Sequence, residues 1–389
     1  MALARTPRLR AARREGEQVT PLELFFDLVF VLAITQCTAL MADEPTWTGL
    51  FKGLGVLAVL WWSWVGYAWL TSVVDPEEGA VRLVIFAAMA ALLVAALCVP
   101  AAFGDLDLLF AVAYGVVRFA QIGLFLLASR DEPQLRRSVI GLAIGTALGV
   151  GLLTAASFLD GWAKGALWIL AIVLDVGEPY LFGVEGWQLH PEHFAERHGL
   201  IIIIALGESI VAIGVGADSG VDAGIVAAAV IGIALAAAQW WAYFDVVSIV
   251  ATKRLIALGP GREQNSMARD SYSYLHFGMV AGIVLVALGL KKTLGDVGEP
   301  LKVVAAVALA GGAALYLLAL VAFRLRNLGS LNRQRTIAVA ALLATIVLAP
   351  HVPALATAAV VAVIFGILIA YETTHFAAAR DEIRHQHGD

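Results

Sequence analysis

Long uncharged apolar segments recur along the whole chain, separated by short polar connections. A helix needs about 20 apolar residues to cross a bilayer. On this criterion the sequence predicts about twelve spanning helices, near residues 19–41, 49–71, 80–103, 106–128, 136–158, 163–180, 198–217, 221–245, 271–290, 300–322, 335–349 and 354–376. The pattern therefore predicts an all-α polytopic membrane protein.

The composition agrees with this class. Of the 389 residues, 60% are hydrophobic and 15% are charged, whereas soluble domains have about 45–50% apolar and about 25% charged residues. The longest polar connection, at about 246–270, is too short for a soluble domain. No basic patch with interleaved aromatic residues occurs, so the expected partner is the lipid bilayer and not nucleic acid.

The distribution of basic residues predicts the orientation. With twelve spans, most Lys and Arg residues fall on one side, including five arginines between residues 5 and 14. Basic residues concentrate in cytoplasmic connections, so both termini are predicted to be cytoplasmic. Lys291, Lys292 and Lys302 fall on the other side and are the exception. No small-residue cleavage site follows the first apolar segment, so we expect that segment to remain as an anchor.

The chain is predicted to be a diverged tandem repeat of six helices. Asp27 lines up with Glu208, and Trp61 with Trp240. The acid and the tryptophan are 34 residues apart in the first half and 32 residues apart in the second. Six helices per half give both halves the same orientation, and such parallel repeats commonly place their sites at the repeat interface. The predicted segments are a basic cytoplasmic tail (1–18), a first six-helix repeat (19–180), a cytoplasmic linker (181–197), a second six-helix repeat (198–376) and a cytoplasmic tail (377–389).

Carboxylates inside apolar helices are the first candidates for function. A charge in the hydrocarbon core is costly, so such residues usually face protein or water and mark a site. We assign five acids to an ion or solute pathway: Asp27, Glu208, Glu23, Asp175 and Glu178. Glu23 and Asp27 share a helix face because they are four residues apart. For Glu23, Asp175 and Glu178, a helix end at the membrane interface is the alternative interpretation.

Ionisable residues also gather where the seventh predicted helix begins. His193, Glu196 and His198 are assigned to a cytoplasmic entrance, since histidines relay protons near neutral pH. Arg197 is eleven residues from Glu208 on the same helix face and is assigned as its counter-charge. A solvated helix cap and a metal site are the alternatives. His193 and Glu196 resemble half of a helical metal site, but the solvated cap is the preferred interpretation, so no metal or other cofactor is predicted.

Two further arginines and a tryptophan cluster complete the candidates. Arg82 and Arg118 are assigned as counter-charges, because charges within a membrane tend to pair. For Arg118, pairing with a helix-end carbonyl group or a lipid headgroup is the alternative. The tryptophans at 61, 62 and 64 are interpreted as an aromatic belt and packing layer. Gly-x-Ser-x-Gly, His-Glu-x-x-His and nucleotide-binding Gly-Lys-Ser/Thr motifs are missing from the sequence, so an enzyme is the less favoured class.

Two segments resemble a known family. They are VTPLELFFDLVFVLAITQ, from Val19 to Gln36, and HPEHFAERHGLIIIIALGESIVAIG, from His190 to Gly214. Both look like the hallmark segments of the bacterial low-temperature-requirement A family. The resemblance implies an integral membrane protein of the bacterial inner membrane, linked to growth in the cold. It implies no established biochemical activity.

A second resemblance is weaker. The spacing of Phe25, Asp27, Phe30 and Thr35 is similar to a first-helix motif of the two-repeat potassium and proton channels of lysosomes and bacteria. In this sequence Phe26 replaces the serine of that motif, and the arginine that precedes it is missing. These differences argue against potassium selectivity, but that architecture implies that the first helices of both repeats line a central pathway.

These observations lead to one principal hypothesis and two alternatives. The principal hypothesis is a transporter or channel for a small cation or a proton-coupled solute, with Asp27 and Glu208 as central carboxylates. The first alternative is a membrane enzyme or lipid-handling factor that adapts the envelope to cold, using the His193 region and the acids of the sixth helix. The second is a purely structural or sensory role. The sequence leaves open the substrate and whether the protein forms a homo-oligomer.

Overall fold

The computed structural model describes residues 18–181, 183, 186–216 and 222–385. The predicted basic tail, residues 1–18, therefore lies outside the described residues except for Gln18. Parts of the predicted linker and of the C-terminal tail, at 182, 184–185 and 386–389, also lie outside them.

The described residues form twelve long helices and a short C-terminal one. In chain order these are α1 (Pro21–Asp43), α2 (Trp47–Val73), α3 (Gly79–Ala101), α4 (Asp107–Ala128), α5 (Pro133–Ala156), α6 (Gly161–Leu181), α7 (Pro191–Gly216), α8 (Ala223–Ala257), α9 (Arg262–Gly295), α10 (Val303–Leu328), α11 (Arg333–His351), α12 (Ala354–His375) and α13 (Ala377–His385). A turn at residues 245–246 interrupts α8.

Among the described residues, eleven of these helices are long and apolar enough to cross a membrane. The predicted sixth helix also forms, as α6, but it carries Lys164, Asp175 and Glu178 and is not one of the eleven. The prediction of an all-α polytopic membrane protein is confirmed.

Several helices begin at polar residues that the sequence places directly before an apolar segment. The Asp222 carboxylate accepts a hydrogen bond from the backbone N–H of Ile225 at the start of α8. The Asn332 side chain does the same for Arg335 at the start of α11. Such caps satisfy backbone donors that have no partner inside the helix, so these helix starts are encoded locally.

Close contacts divide the chain into two compact units. Unit 1 comprises residues 1–33, 58–196 and 260–266, and unit 2 comprises residues 34–57, 197–259 and 267–389. In unit 1, neighbouring helices pack in chain order from α3 to α6. In unit 2, α9 packs against α10, and α8 packs against α12. The six-plus-six repeat and its boundaries stay a prediction.

Small residues bring α9 and α10 of unit 2 close together. A Cβ atom on Gly282 would lie 2.7 Å from the backbone oxygen of Gly312, and one on Gly289 would lie 2.6 Å from the Cα atom of Leu309. Small residues let helix backbones approach in this way in membrane proteins. Both helices contain a π-helical segment, at Ala268–Leu275 and at Val307–Gly311.

Candidate functional site

The start of α1 joins a capping motif to a buried histidine in unit 1. Glu23 Oε2 accepts hydrogen bonds from the backbone N–H of Thr20, at 2.8 Å, and from the Thr20 hydroxyl, at 3.0 Å. This is a capping box, which satisfies orphan donors at a helix start. The other oxygen, Oε1, lies 2.8 Å from Nε2 of His193 on α7. Both side chains are buried, so Glu23 serves as a helix cap and as the partner of a titratable residue.

Asp27 lies one turn further along α1 and is fully buried. The indole N–H of Trp64 on α2 donates a hydrogen bond of 2.8 Å to its Oδ1 atom. Trp64 stacks on Trp61, and both rings are almost completely buried. Their burial agrees with the packing layer of the sequence-based interpretation, and not with a belt at the membrane surface. They fill the protein interior, and one of them holds a carboxyl group.

A buried ion pair of unit 1 joins α4 to α6. Arg118 Nη2 lies 2.8 Å from Asp175 Oδ1, and both side chains are buried. The same guanidinium donates to Thr146 and Gln121, and the Tyr114 hydroxyl donates to the second oxygen of Asp175. The structure thus brings together Arg118 and Asp175, which the sequence analysis had assigned separately. The hydrogen bonds of this buried pair hold both side chains in one arrangement. Removing either partner would leave an uncompensated buried charge, which is costly.

Glu178 lies one turn after Asp175 and is also buried. A Cβ atom on Gly145 of α5 would lie 2.9 Å from Cγ of Glu178. Gly145 thus provides the space that the glutamate side chain occupies. The two acids of α6 point into the packed interface with α5 and α4, and not simply to a helix end.

Glu208 is 3% exposed and lies within the apolar helix α7, in unit 2. The Thr35 hydroxyl donates a hydrogen bond of 2.7 Å to Oε2 of Glu208. Thr35 lies on the part of α1 that belongs to unit 2. The Thr38 hydroxyl donates to the backbone oxygen of Ile34, and Lys291 attracts the Glu208 carboxylate at longer range. Within the described residues, no basic nitrogen lies within ion-pair distance of Glu208, so Arg197 makes no direct ion pair with it. In the predicted topology, Lys291 was one of the lysines on the side opposite to most basic residues.

The predicted entrance residues separate by burial. His193 and His198 are fully buried and Arg197 is 1% exposed, whereas Glu196 is exposed and accepts a hydrogen bond from the backbone N–H of Val19. Arg82 is exposed at the start of α3 and donates to the backbone oxygen of Glu77. The structure therefore does not bring Arg82 to the buried acids of unit 1.

His198 belongs to an aromatic cluster in unit 2 that the sequence analysis missed. Its ring packs edge-on against Tyr272 and His276, at centroid distances of 5.3 and 5.1 Å. His276 Nδ1 lies 3.0 Å from the backbone oxygen of Ser271, and Nε2 lies 2.8 Å from the hydroxyl of Tyr243. Because a carbonyl oxygen only accepts, Nδ1 donates, and the neutral ring accepts at Nε2 from Tyr243.

The neutral partners of these carboxyl groups were not recognised as hydrogen-bond donors in the sequence, for a common reason. Trp64, Thr35 and Tyr114 donate to the buried carboxyl groups, yet each is an ordinary residue in an apolar helix. A charged residue stands out in an apolar segment because burying it is costly. A neutral hydrogen-bond donor is common in such segments, so its role cannot be recognised from the sequence. Among the described residues, no group of three or more His, Cys, Asp or Glu residues is arranged to hold a metal ion.

The fold and these side chains define a multi-pass helical membrane protein whose interior holds hydrogen-bonded carboxyl groups. The chain belongs to the bacterial low temperature requirement A protein (LtrA) family, whose model matches residues 18–370. It is 29% identical over 302 residues to an uncharacterized protein of Rhizobium meliloti (strain 1021), an alignment that covers 74% of this chain and 73% of that protein. No solved structure is significantly similar to it.

Proposed function

We propose that this protein is a transporter or channel for a small cation or a proton-coupled solute. Asp27 and Glu208 are the proposed central carboxylates, each within its own unit. Glu23 and His193 are the proposed proton-handling pair at the entrance. The proposed location is the bacterial inner membrane, with both termini in the cytoplasm, in line with the bias of Lys and Arg along the chain.

The observation that carries this proposal is the contrast between Glu208 and Asp175. Asp175 pairs directly with a guanidinium at 2.8 Å, and its charge is therefore neutralised within the fold. Glu208 accepts from the hydroxyl of Thr35, a neutral donor that orients a carboxylate without neutralising it. Carboxylate and hydroxyl oxygens are the ligands that hard cations prefer, and an intramembrane acid of this kind is typical of ion and proton pathways.

The Glu23–His193 contact supports a role for protons. A histidine has an ordinary pKa close to the pH of the cell, and small environmental changes move it across that range. A buried carboxyl group and an imidazole at 2.8 Å form a pair that can share or pass on a proton. Asp27 is one helical turn from Glu23 on the same face of α1, so a proton that reaches the pair is close to the next acid.

The test is flux in proteoliposomes that contain the purified full-length protein, measured with cation-sensitive and pH-sensitive dyes. Glu208→Gln keeps the shape of the side chain and removes its charge, and we expect it to abolish flux or the pH dependence of flux. The matched control is Glu299→Gln, an exposed acid in the α9–α10 connection. Unchanged flux in Glu208→Gln, with a correctly folded protein, contradicts the proposal.

A further inference from the structure

A groove at one end of the helices of unit 2 has no role in the proposed pathway. It lies between α8, α10, α11, α12 and α13 and has a volume of about 520 Å³. The wall combines apolar residues such as Trp241, Leu328 and Phe376 with arginines that include Arg324 and Arg333. Tryptophan and arginine together are typical of the boundary between the hydrocarbon core and the polar headgroups.

Two acids of the groove are already neutralised. Glu372 makes two hydrogen bonds of 2.9 Å with Arg335. Asp245 makes two hydrogen bonds of 2.7 and 2.8 Å with Arg380. Paired guanidinium–carboxylate contacts of this kind use both oxygens of the acid. Neither acid therefore offers a free carboxylate to the remaining cations.

Arg324 and Arg333 give the groove its excess positive charge. Both are exposed, and Arg324 Nε donates to the hydroxyl of Ser330 at 3.1 Å. Arg324 attracts Glu372 only at longer range. Across the described residues, no carboxylate lies within ion-pair distance of Arg324 or Arg333. The four arginines and two acids in the wall leave two positive charges for a bound anion.

The groove wall also exposes apolar side chains. Trp241 is 38% exposed, Leu328 45% and Phe376 40%, and the exposed Leu331 continues the same surface. A soluble anion would gain nothing from these side chains. An amphiphile with a negative headgroup would bury its chains against them and place its phosphate beside the arginines.

We infer that this groove binds one anionic phospholipid, with its phosphate between Arg324 and Arg333 and its acyl chains along Trp241, Leu328 and Leu331. The arginines complement the negative charge of the headgroup, and the apolar side chains complement the acyl chains. A basic residue close to an anionic headgroup contributes about fivefold in affinity. The site is separate from the acids proposed for transport, so either idea can fail without the other.

The experiment compares lipid binding to the full-length protein by native mass spectrometry, with thermal unfolding in detergent as a second readout. The probes are dioleoylphosphatidylglycerol, dioleoylphosphatidylcholine and inorganic phosphate. We expect the wild-type protein to retain the phosphatidylglycerol about tenfold more strongly than the phosphatidylcholine, and to be stabilised by it. The double variant Arg324→Gln/Arg333→Gln should lose this preference.

The control is Arg137→Gln/Arg254→Gln, which removes the same charge from exposed arginines outside the groove wall and should keep the preference. Because neither groove arginine belongs to an ion pair, the double variant should unfold at the wild-type temperature without lipid. Equal loss in both double variants overturns the site, since it would reflect net charge alone. Displacement of the phospholipid by millimolar inorganic phosphate also overturns it, in favour of a soluble anion.

Discussion

His193 Nε2 lies 2.8 Å from Glu23 Oε1, although 170 residues separate them in the chain. One residue belongs to the segment at the start of α1 and the other to the segment at the start of α7, the two segments on which the family resemblance was based. The resemblance therefore rests on parts of the chain that meet within unit 1. The same glutamate closes the capping box with Thr20.

The double role of Glu23 predicts a difference between two substitutions. Glu23→Gln removes the charge but keeps an oxygen that can cap α1, whereas Glu23→Ala removes both. We expect Glu23→Ala to lower the free energy of unfolding by about 1 kcal/mol more than Glu23→Gln. Denaturation in mixed detergent micelles measures this difference. Glu192→Ala, in the first turn of α7, is the control and should cost less than about 0.5 kcal/mol; equal losses in the two Glu23 variants would refute the cap.

The Arg118–Asp175 pair predicts strong coupling in stability. Arg118→Gln and Asp175→Asn should each cost about 3 kcal/mol or more, because each leaves an uncompensated buried charge. The double variant should cost clearly less than the sum, with a coupling energy of at least about 1 kcal/mol. Unfolding curves of the four proteins give this value. The half-buried and more solvent-accessible pair of Lys52 and Glu44 is the comparison, and its cycle should give under about 1 kcal/mol. Additive effects of Arg118 and Asp175 would contradict the ion pair.

The Thr35 hydroxyl is expected to matter for flux more than for stability. Thr35→Val has nearly the same shape but no donor for Glu208, while Thr35→Ser keeps the donor. We expect Thr35→Val to reduce cation flux in proteoliposomes about tenfold and Thr35→Ser to retain most of it, because a hydrogen bond to a charged group is worth about 1.5–3 kcal/mol. If both variants transport alike, the hydroxyl does not serve the site.

Trp64 and Trp61 offer a matched comparison on one helix. Both rings are buried and stack at a centroid distance of 5.0 Å, but the indole N–H of Trp64 is the one that donates to Asp27. Trp64→Phe should therefore resemble Asp27→Asn in flux, whereas Trp61→Phe should change mainly the unfolding temperature. A flux defect of the same size in Trp61→Phe would assign the effect to packing.

The terminal helix α13 is expected to depend on one acid. The hydrogen bonds that Arg380 donates to Asp245 raise the pKa of the Arg380 guanidinium above its ordinary value, so this guanidinium stays charged at any physiological pH. Asp245→Asn should make the backbone amides of residues 377–385 exchange with deuterium about tenfold faster. Glu263→Gln, an exposed acid, serves as the control. Unchanged exchange in Asp245→Asn would show that other contacts hold this helix.

The helices were predictable because each is a long apolar segment bounded by polar residues, and α6 was found although it carries three charges. The buried acids were predictable for a related reason: Asp27 and Glu208 interrupt apolar segments at a high energetic cost. The sequence also indicated that Arg118 could serve as a counter-charge for one of the acids.

The partners themselves were not predictable. Asp175 and Arg118 are 57 residues apart in the chain, and helix packing alone determines that they meet. Arg82 has the same residue type and a similar apolar context, yet it lies exposed at a helix start. Residue type and hydropathy therefore identified both arginines as candidates. They did not show that the Arg118 guanidinium is buried and that the Arg82 guanidinium is exposed.

The π-helical segment Ala268–Leu275 in α9 changes how that helix must be compared with others. A π turn holds one residue more than an α turn, and one residue corresponds to about 100° of rotation. Side chains after the segment, such as His276, therefore point in a different direction from the one that an unbroken α-helix would give them. The segment therefore holds one residue more than an unbroken α-helix would. Deleting one residue within it would return α9 to uniform winding and rotate every preceding side chain relative to the rest of the helix.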